Sequence, residues 1–309
     1  MTLTVRIARL APALGLVTNA MRYRGLRCAL GVEITGPGRL VYGHGVSIGQ
    51  GTRIELDLGG TVIFGDHVSI SRQVHIVPAT EKLLAIGSET TVQDGCRIYG
   101  EVTIGRNCIF APNVFVSSGT HAFDRLPHLA IQEQDQVAPV ADKPIKIFSD
   151  CWFGINAVVA PGVTIGRGCV IGANSVVTHD LPPYTVVVGA PARVIRQRLD
   201  FAPKAHIEAA VEADWPYFYD GLPLRPNPGE DAFVAESKFV LALHRPQPKG
   251  IRLSISGNGD IGFKAQRQAL PRNGGVVEFA VEPSEEADVL PLFEFEPDGL
   301  CRIRTAELF

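Results

Sequence analysis

Every sixth residue is an aliphatic or a phenylalanine in three runs of this sequence: Phe64, Ile70 and Ile76; Ile86, Val92, Ile98, Ile104, Phe110 and Val116; Ile147, Phe153, Val159, Ile165, Ile171 and Val177. Neither a helix, with its 3.6-residue period, nor a half-buried strand, with its period of two, generates that spacing. Four residues after most of these stands a small or β-branched residue: Val68, Val74, Thr90, Cys96, Val102, Cys108, Val114, Thr120, Cys151, Ala157, Val163, Cys169 and Ser175. A short strand with one inward aliphatic, a turn, and a second inward residue small enough for a corner make one side of a prism. Three sides close a coil, and stacked coils pair strand over strand around a continuous apolar column. Each buried aliphatic stabilises such a stack by about 1.5–3 kcal/mol.

Composition agrees with many tight turns around small side chains: 32 glycines and only 7% aromatics in 309 residues. Glycine directly follows the aliphatic at Gly65, Gly87, Gly105, Gly154, Gly166 and Gly172, where a corner is expected to use its permissive backbone. Four of the six cysteines occupy the small inward position, so they read as packing residues rather than nucleophiles or ligands. With no CxxC spacing, a reducing, cytoplasmic compartment fits the cysteine usage, and with no two of the eight histidines five apart and no set of three ligands, no metal site is expected. The net charge of −3 gives no nucleic-acid footprint.

The six-residue phase breaks at residues 77–85 and 122–146. Interruptions of a regular scaffold are where function tends to sit. The longer break follows Ser-Ser-Gly-Thr-His-Ala-Phe-Asp, which puts His121 at the last position of a repeat, beside a loop expected to be mobile. An imidazole with a reference pKa near 6.5 is suited to taking a proton near neutrality. Asp124, three residues on, is a candidate to orient the ring.

These repeats, and the run from VTIG at Val102 to VIR at Val194, resemble the hexapeptide-repeat acyltransferase superfamily, in particular the galactoside, maltose and polysaccharide O-acetyltransferases. The resemblance covers residues 40–198 and implies a left-handed parallel β-helix, a homotrimer with active sites shared between subunits, and acetyl-CoA as co-substrate. It implies His121 as general base and the backbone N–H of Ile155 as oxyanion donor. Trp152 would flank the thioester, Ala173 and Thr178 would line the pantetheine groove, and Arg193 and Arg196 would meet the nucleotide phosphates. His179 stands where the family usually has lysine, and Ile155 where it has serine. Thr91 and Gln93 stand in the region of a family asparagine that has no counterpart here.

Outside the repeats, Leu3, Ile7, Leu10, Leu14, Val17 and Met21 form the stripe of an amphipathic helix. Residues 1–32 carry five arginines and no acid, so residues 1–30 are a candidate for peripheral contact with an anionic membrane surface, alongside packing on the protein body. A short helix is expected near 203–213 and a Pro- and Gly-rich linker over 221–229. Beyond it, Ile251, Leu253 and Ile255 alternate before Gly257-Asn258-Gly259, followed by Ile261 and Phe263, as in a hairpin; Val277, Phe279 and Val281 alternate again, and Asp298-Gly299 marks another turn. Trp215, Tyr217, Phe218 and Tyr219 form an aromatic cluster suited to interdomain packing or to stacking on sugar.

The expected organisation is all-β: an N-terminal helical segment (1–35), a left-handed β-helix (36–198), a helix and linker (199–231), and a C-terminal antiparallel β-sandwich-like domain (232–309). The leading function is transfer of an acyl group, acetyl by preference, from acyl-CoA to a sugar hydroxyl or amine of a surface polysaccharide or glycan, in the cytoplasm or at the inner membrane surface. The alternative is a non-catalytic β-helix scaffold whose C-terminal domain binds glycan.

Overall fold

The computed structural model describes residues 25–281 and 292–309. The expected N-terminal helix lies outside the described residues. The chain divides into two compact units, residues 1–200 and 201–309.

The first unit is a three-faced parallel β-helix of seven coils, with its first strand at Arg27–Cys28. The prism therefore starts before the expected boundary at residue 36, because its opening coils keep the inward pattern (Val32, Ile34, Val46, Ile48) without a strict six-residue step. The first face runs from Arg27–Cys28 through Ser47–Ile48, Ser69–Ile70, Thr91–Val92, Ile109–Phe110, Trp152–Phe153 and Val170–Ile171 to Thr185–Val188. The second includes His75–Val77, Arg97–Tyr99, Phe115–Ser117 and Val158–Val159, and the third includes Leu83–Ile86, Val102–Ile104 and Ile145–Ile147. Register is strict: Val92 pairs with Ile70 and Phe110, and Ile98 with Ile76 and Val116. All fifteen aliphatic and Phe positions of the repeat are buried, and Phe110 stacks on Phe153 of the next coil with centroids 4.4 Å apart.

The corners depart from the sequence expectation at two points. The glycines that follow the inward aliphatic do not have positive φ. They are needed because the next coil passes too close for a Cβ: one on Gly65 would lie 2.5 Å from Ser88 N, one on Gly105 2.5 Å from Ser149 N, and one on Gly154 2.5 Å from Ala173 N. The left-handed backbone conformation falls two residues later, at His67, Gln73, Glu89, Asn107, Asn113, Asp150, Asn156 and Asn174, where Asn and Asp are tolerated best. Of the small inward positions, Thr120 is exposed, because the chain has already left the coil at Ser118, which is buried in its place.

The corners also differ in kind. Those between the first and second faces and between the third and first are four residues long in each coil, as at 71–74, 93–96 and 154–157. The corner between the second and third faces varies from Gly100-Glu101 to the segment 118–144, with intermediate excursions at 56–60 and 78–82. The break at 77–85 is thus a smaller excursion at the same edge as the long one.

The second unit is a pair of antiparallel sheets of five and four strands around a core that includes Phe233, Phe239, Ile251, Leu253, Phe279 and Phe295. Gly257-Asn258-Gly259 does not close a hairpin. Gly250–Gly257 pairs with Gly275–Ala280 and Cys301–Leu308 in one sheet, whereas Asp260–Phe263 pairs in the other, so the turn carries the chain between sheets. Asp298-Gly299 does the same between Leu292–Pro297 and Cys301–Leu308. In place of the helix expected at 203–213 are a strand, His206–Glu208, and a 3₁₀ turn, Glu212–Tyr217. Tyr217, Phe218 and Tyr219 are buried, and Trp215 packs against the same core with Nε1 donating to the Ala209 carbonyl at 2.8 Å, so the aromatic cluster presents no open stacking face.

Candidate active site

The long excursion closes on itself at its base, where Lys143 N donates to Ser118 O at 2.9 Å. It contains one short helix, α1 (Ile131–Val137), whose first turn is capped by Glu133 accepting from Ala130 N at 2.9 Å. Gln134 projects from α1 into the excursion and is 2% exposed. Its Oε1 accepts from the amides of Arg125 (3.2 Å) and Leu126 (3.0 Å), while its Nε2 donates to the carbonyls of Leu129 (3.2 Å) and Phe123 (3.4 Å). One buried amide thus uses its full donor and acceptor capacity to fold a segment expected to be mobile.

His121 stands on the outgoing arm of this excursion, three residues beyond the last coil position, with its side chain 80% exposed. Its Nδ1 bonds to Asp135 Oδ2, and the other carboxylate oxygen accepts from the Ala122 amide at 2.6 Å. The Ala122 amide, and then the His121 imidazole, hold the Asp135 carboxyl below its ordinary pKa. With Nδ1–H given to a carboxylate, the unshared pair is on Nε2, facing solvent. Asp124 is not the partner: it is exposed and has no hydrogen bond or ion pair among the described residues. Asp135 escaped the sequence because it lies 14 positions away, inside an insertion with no period.

A second set of residues lies across the prism. Trp152 is 52% exposed on the first face, and Ile155 and Ala173 stack at the corner between the first and second faces. The Ile155 carbonyl accepts from Asn174 N at 2.9 Å, but its own amide donates to no acceptor among the described residues and is free to meet a developing negative charge. Arg193 and Arg196 occupy the exposed strand Arg193–Gln197, which runs antiparallel to Thr185–Val188. Each gives one N–H to a neighbouring carbonyl, Ala192 O at 2.9 Å and Gln197 O at 3.1 Å, leaving the rest of the guanidinium open to an anion. Arg198, by contrast, is tied to Asp150 and to the carbonyls of Asp150 and Gly168. Thr178 and His179 bond to one another at 3.1 Å and sit at the variable corner, on the same edge as His121.

One chain therefore gathers its candidate residues on two edges: His121, Asp135, Thr178 and His179 on one, Trp152, Ile155 and Ala173 on or beside the other. A prism face separates them, roughly 15–20 Å for five or six extended residues.

Residues 85–118 and 144–179 match the family model described as bacterial transferase hexapeptide (six repeats). These segments of the β-helix carry the hexapeptide repeat of the bacterial transferases. Galactoside O-acetyltransferase of Escherichia coli is 43% identical over 96 residues, covering 31% of this chain and 44% of the relative. A second Escherichia coli protein, assigned by name to lipopolysaccharide biosynthesis O-acetyl transfer, is 29% identical over 168 residues, covering 53% of this chain and 74% of its own. Among solved structures, a maltose O-acetyltransferase from Clostridium difficile is 27% identical, with 55% of this chain and 72% of that one covered at a TM-score of 0.34. The chain spans between about two fifths and three quarters of the length of such curated relatives, and the family-model match lies within the β-helix.

Proposed function

We propose that the protein transfers an acyl group, acetyl by preference, from acyl-CoA to a hydroxyl of a saccharide acceptor, with His121 as general base. The observation that carries this reading is the His121–Asp135 pair, which leaves Nε2 unshared and open to solvent. His121 Nε2 takes the proton from the acceptor oxygen as that oxygen attacks the thioester carbonyl, and later gives it to the departing thiolate. Asp135 holds the ring in the productive tautomer and stabilises the imidazolium that forms. The free amide of Ile155 receives the oxyanion. Trp152 and Ala173 flank the pantetheine arm, and Arg193 and Arg196 meet phosphate oxygens.

Because His121 and Ile155 occupy different edges of one prism, a complete site requires a second copy, and a closed three-fold assembly supplies three such sites. Relatives named for galactoside and lipopolysaccharide O-acetylation support the acceptor class and a role in glycan biosynthesis. We place the reaction in the cytoplasm, where acetyl-CoA is available.

The test is acetyl-CoA-dependent acetylation of saccharides by His121→Ala. The expected result is a loss of about 10²–10⁴ in kcat with CoA binding retained. Unchanged turnover in this variant would overturn the assignment.

A further inference from the structure

A groove of about 450 Å³ runs down the variable edge from the base of the long excursion, with Gly119 and Asp142 at its upper end and Leu58 at its lower end. Between them it crosses three steps of the stack, roughly 14 Å at 4.8 Å per coil, which is the length of two or three linked sugar rings. Its upper end is two residues from His121. Its lining mixes apolar Val77 and Pro78 with polar His75, Tyr99, Ser117 and Asp142, and Val77, Tyr99 and Ser117 stand one above another in register on the second face.

The polar groups of the lining centre on His75. His75 lies between Glu55, whose Oε1 is 2.9 Å from Nε2, and Tyr99, whose hydroxyl is 2.8 Å from Nδ1. The nearby carboxylate favours the proton on Nε2 by charge alone, since that contact lacks hydrogen-bond alignment; Nδ1 then accepts from the Tyr99 hydroxyl, and the phenolic oxygen, which also faces the Arg97 guanidinium, keeps one lone pair for an outside donor. The Tyr99 ring is fixed edge-on between His75 (5.2 Å) and Phe115 (5.7 Å). Tyr99 and Asp142 together offer acceptors matched to hydroxyl donors, and Val77 and Pro78 in the same lining offer apolar surface matched to the C–H face of a pyranose. Among the described residues the lining includes no lysine or arginine, and the nearby Arg97 is engaged with the Tyr99 hydroxyl, so a neutral ligand fits better than a phosphate.

We propose that this groove is a subsite for a second, neutral sugar of the acceptor, so that the protein selects a saccharide chain rather than a free monosaccharide, with Tyr99 as a specificity-determining residue. The inference rests on the acetyl-transfer reading above. Apolar contact and one or two hydrogen bonds at Tyr99 give about a tenfold preference.

The experiment compares acetylation of methyl glucoside with cellobiose and of methyl galactoside with galactobiose by the full chain, in wild type, Tyr99→Phe and Tyr99→Ala. In wild type the disaccharide of at least one pair is favoured about tenfold in kcat/KM, through KM. Tyr99→Phe reduces that ratio severalfold and Tyr99→Ala abolishes it, while KM for acetyl-CoA does not move. Disaccharide binding to His121→Ala in the presence of CoA, measured by calorimetry, weakens in parallel when Tyr99→Ala is added. Equal use of mono- and disaccharides in both pairs, or a ratio indifferent to Tyr99, overturns the subsite and leaves the acetyl-transfer reading intact. Absence of acetylation of any saccharide by wild type overturns both.

Discussion

The Asp135 carboxylate bonds through one oxygen to His121 Nδ1 and through the other to the amide of Ala122, so ring and backbone are set by the same group. Asp135→Asn keeps the size of the side chain and removes its charge. We expect a fall in kcat of roughly tenfold to a hundredfold with little change in KM for acyl-CoA. Asp124→Ala, three residues after His121 and without a hydrogen bond or ion pair among the described residues, should stay within about twofold, and steady-state kinetics on the two variants distinguishes the carboxylates.

The same pair has a pH signature. A carboxyl whose pKa is lowered in the folded chain contributes stability that is present above its unfolded value, near 3.9, and is lost as pH falls through the lower folded value. The Ala122 amide should therefore stay protected from hydrogen exchange at pH 5 and lose protection only below about pH 4. Loss already between pH 6 and 5 would contradict the Asp135 contact.

Placement of the candidate residues on two edges predicts complementation. Assemblies refolded from mixed His121→Ala and Arg193→Glu/Arg196→Glu subunits should regain activity that neither variant has alone, because in the proposed assembly some interfaces then join an intact base to an intact phosphate site. Mixed samples no more active than the separate variants would show that each chain works by itself.

The corners can be separated by stability. Gly105→Ala drives a methyl to 2.5 Å from the Ser149 backbone nitrogen and should cost about 2 kcal/mol or more. Asn107→Gly, at φ 56°, relieves a left-handed conformation and should change stability by less than about 1 kcal/mol. Denaturant melts of the two variants provide the comparison.

Five of the six cysteines are buried, and burial pushes the Cys96 thiol up to about 11 and the Cys301 thiol to about 12. Alkylation of the native protein at pH 8 should label Cys28 alone, with the other five appearing only after denaturation; intact mass spectrometry reads the difference.

What was legible beforehand follows from how far a signal travels along the chain. Inward positions such as Ile98 and Phe110 recur because each coil must pass the same column, so phase alone located the core and most of the corners. The glycines at 65, 105 and 154 stand out in the sequence as turn residues, because a close approach between coils leaves no local mark that differs from a turn. Asp135 and Gln134 were invisible because their partners are fixed by the tertiary path of an aperiodic excursion. In the second unit, alternation identified strands such as Gly250–Gly257 and Gly275–Ala280. The Gly-Asn-Gly turn could not reveal that the chain changes sheets there, because the local backbone bend is compatible with either path.

Length variation is confined to a single edge of the prism, where the chain takes anything from two residues to a folded arm between strands that still stack in register. Rebuilding that edge leaves the column and its hydrogen-bond ladders untouched, so a lineage or an engineer can exchange what the protein recognises there while inheriting the rest of the molecule unchanged.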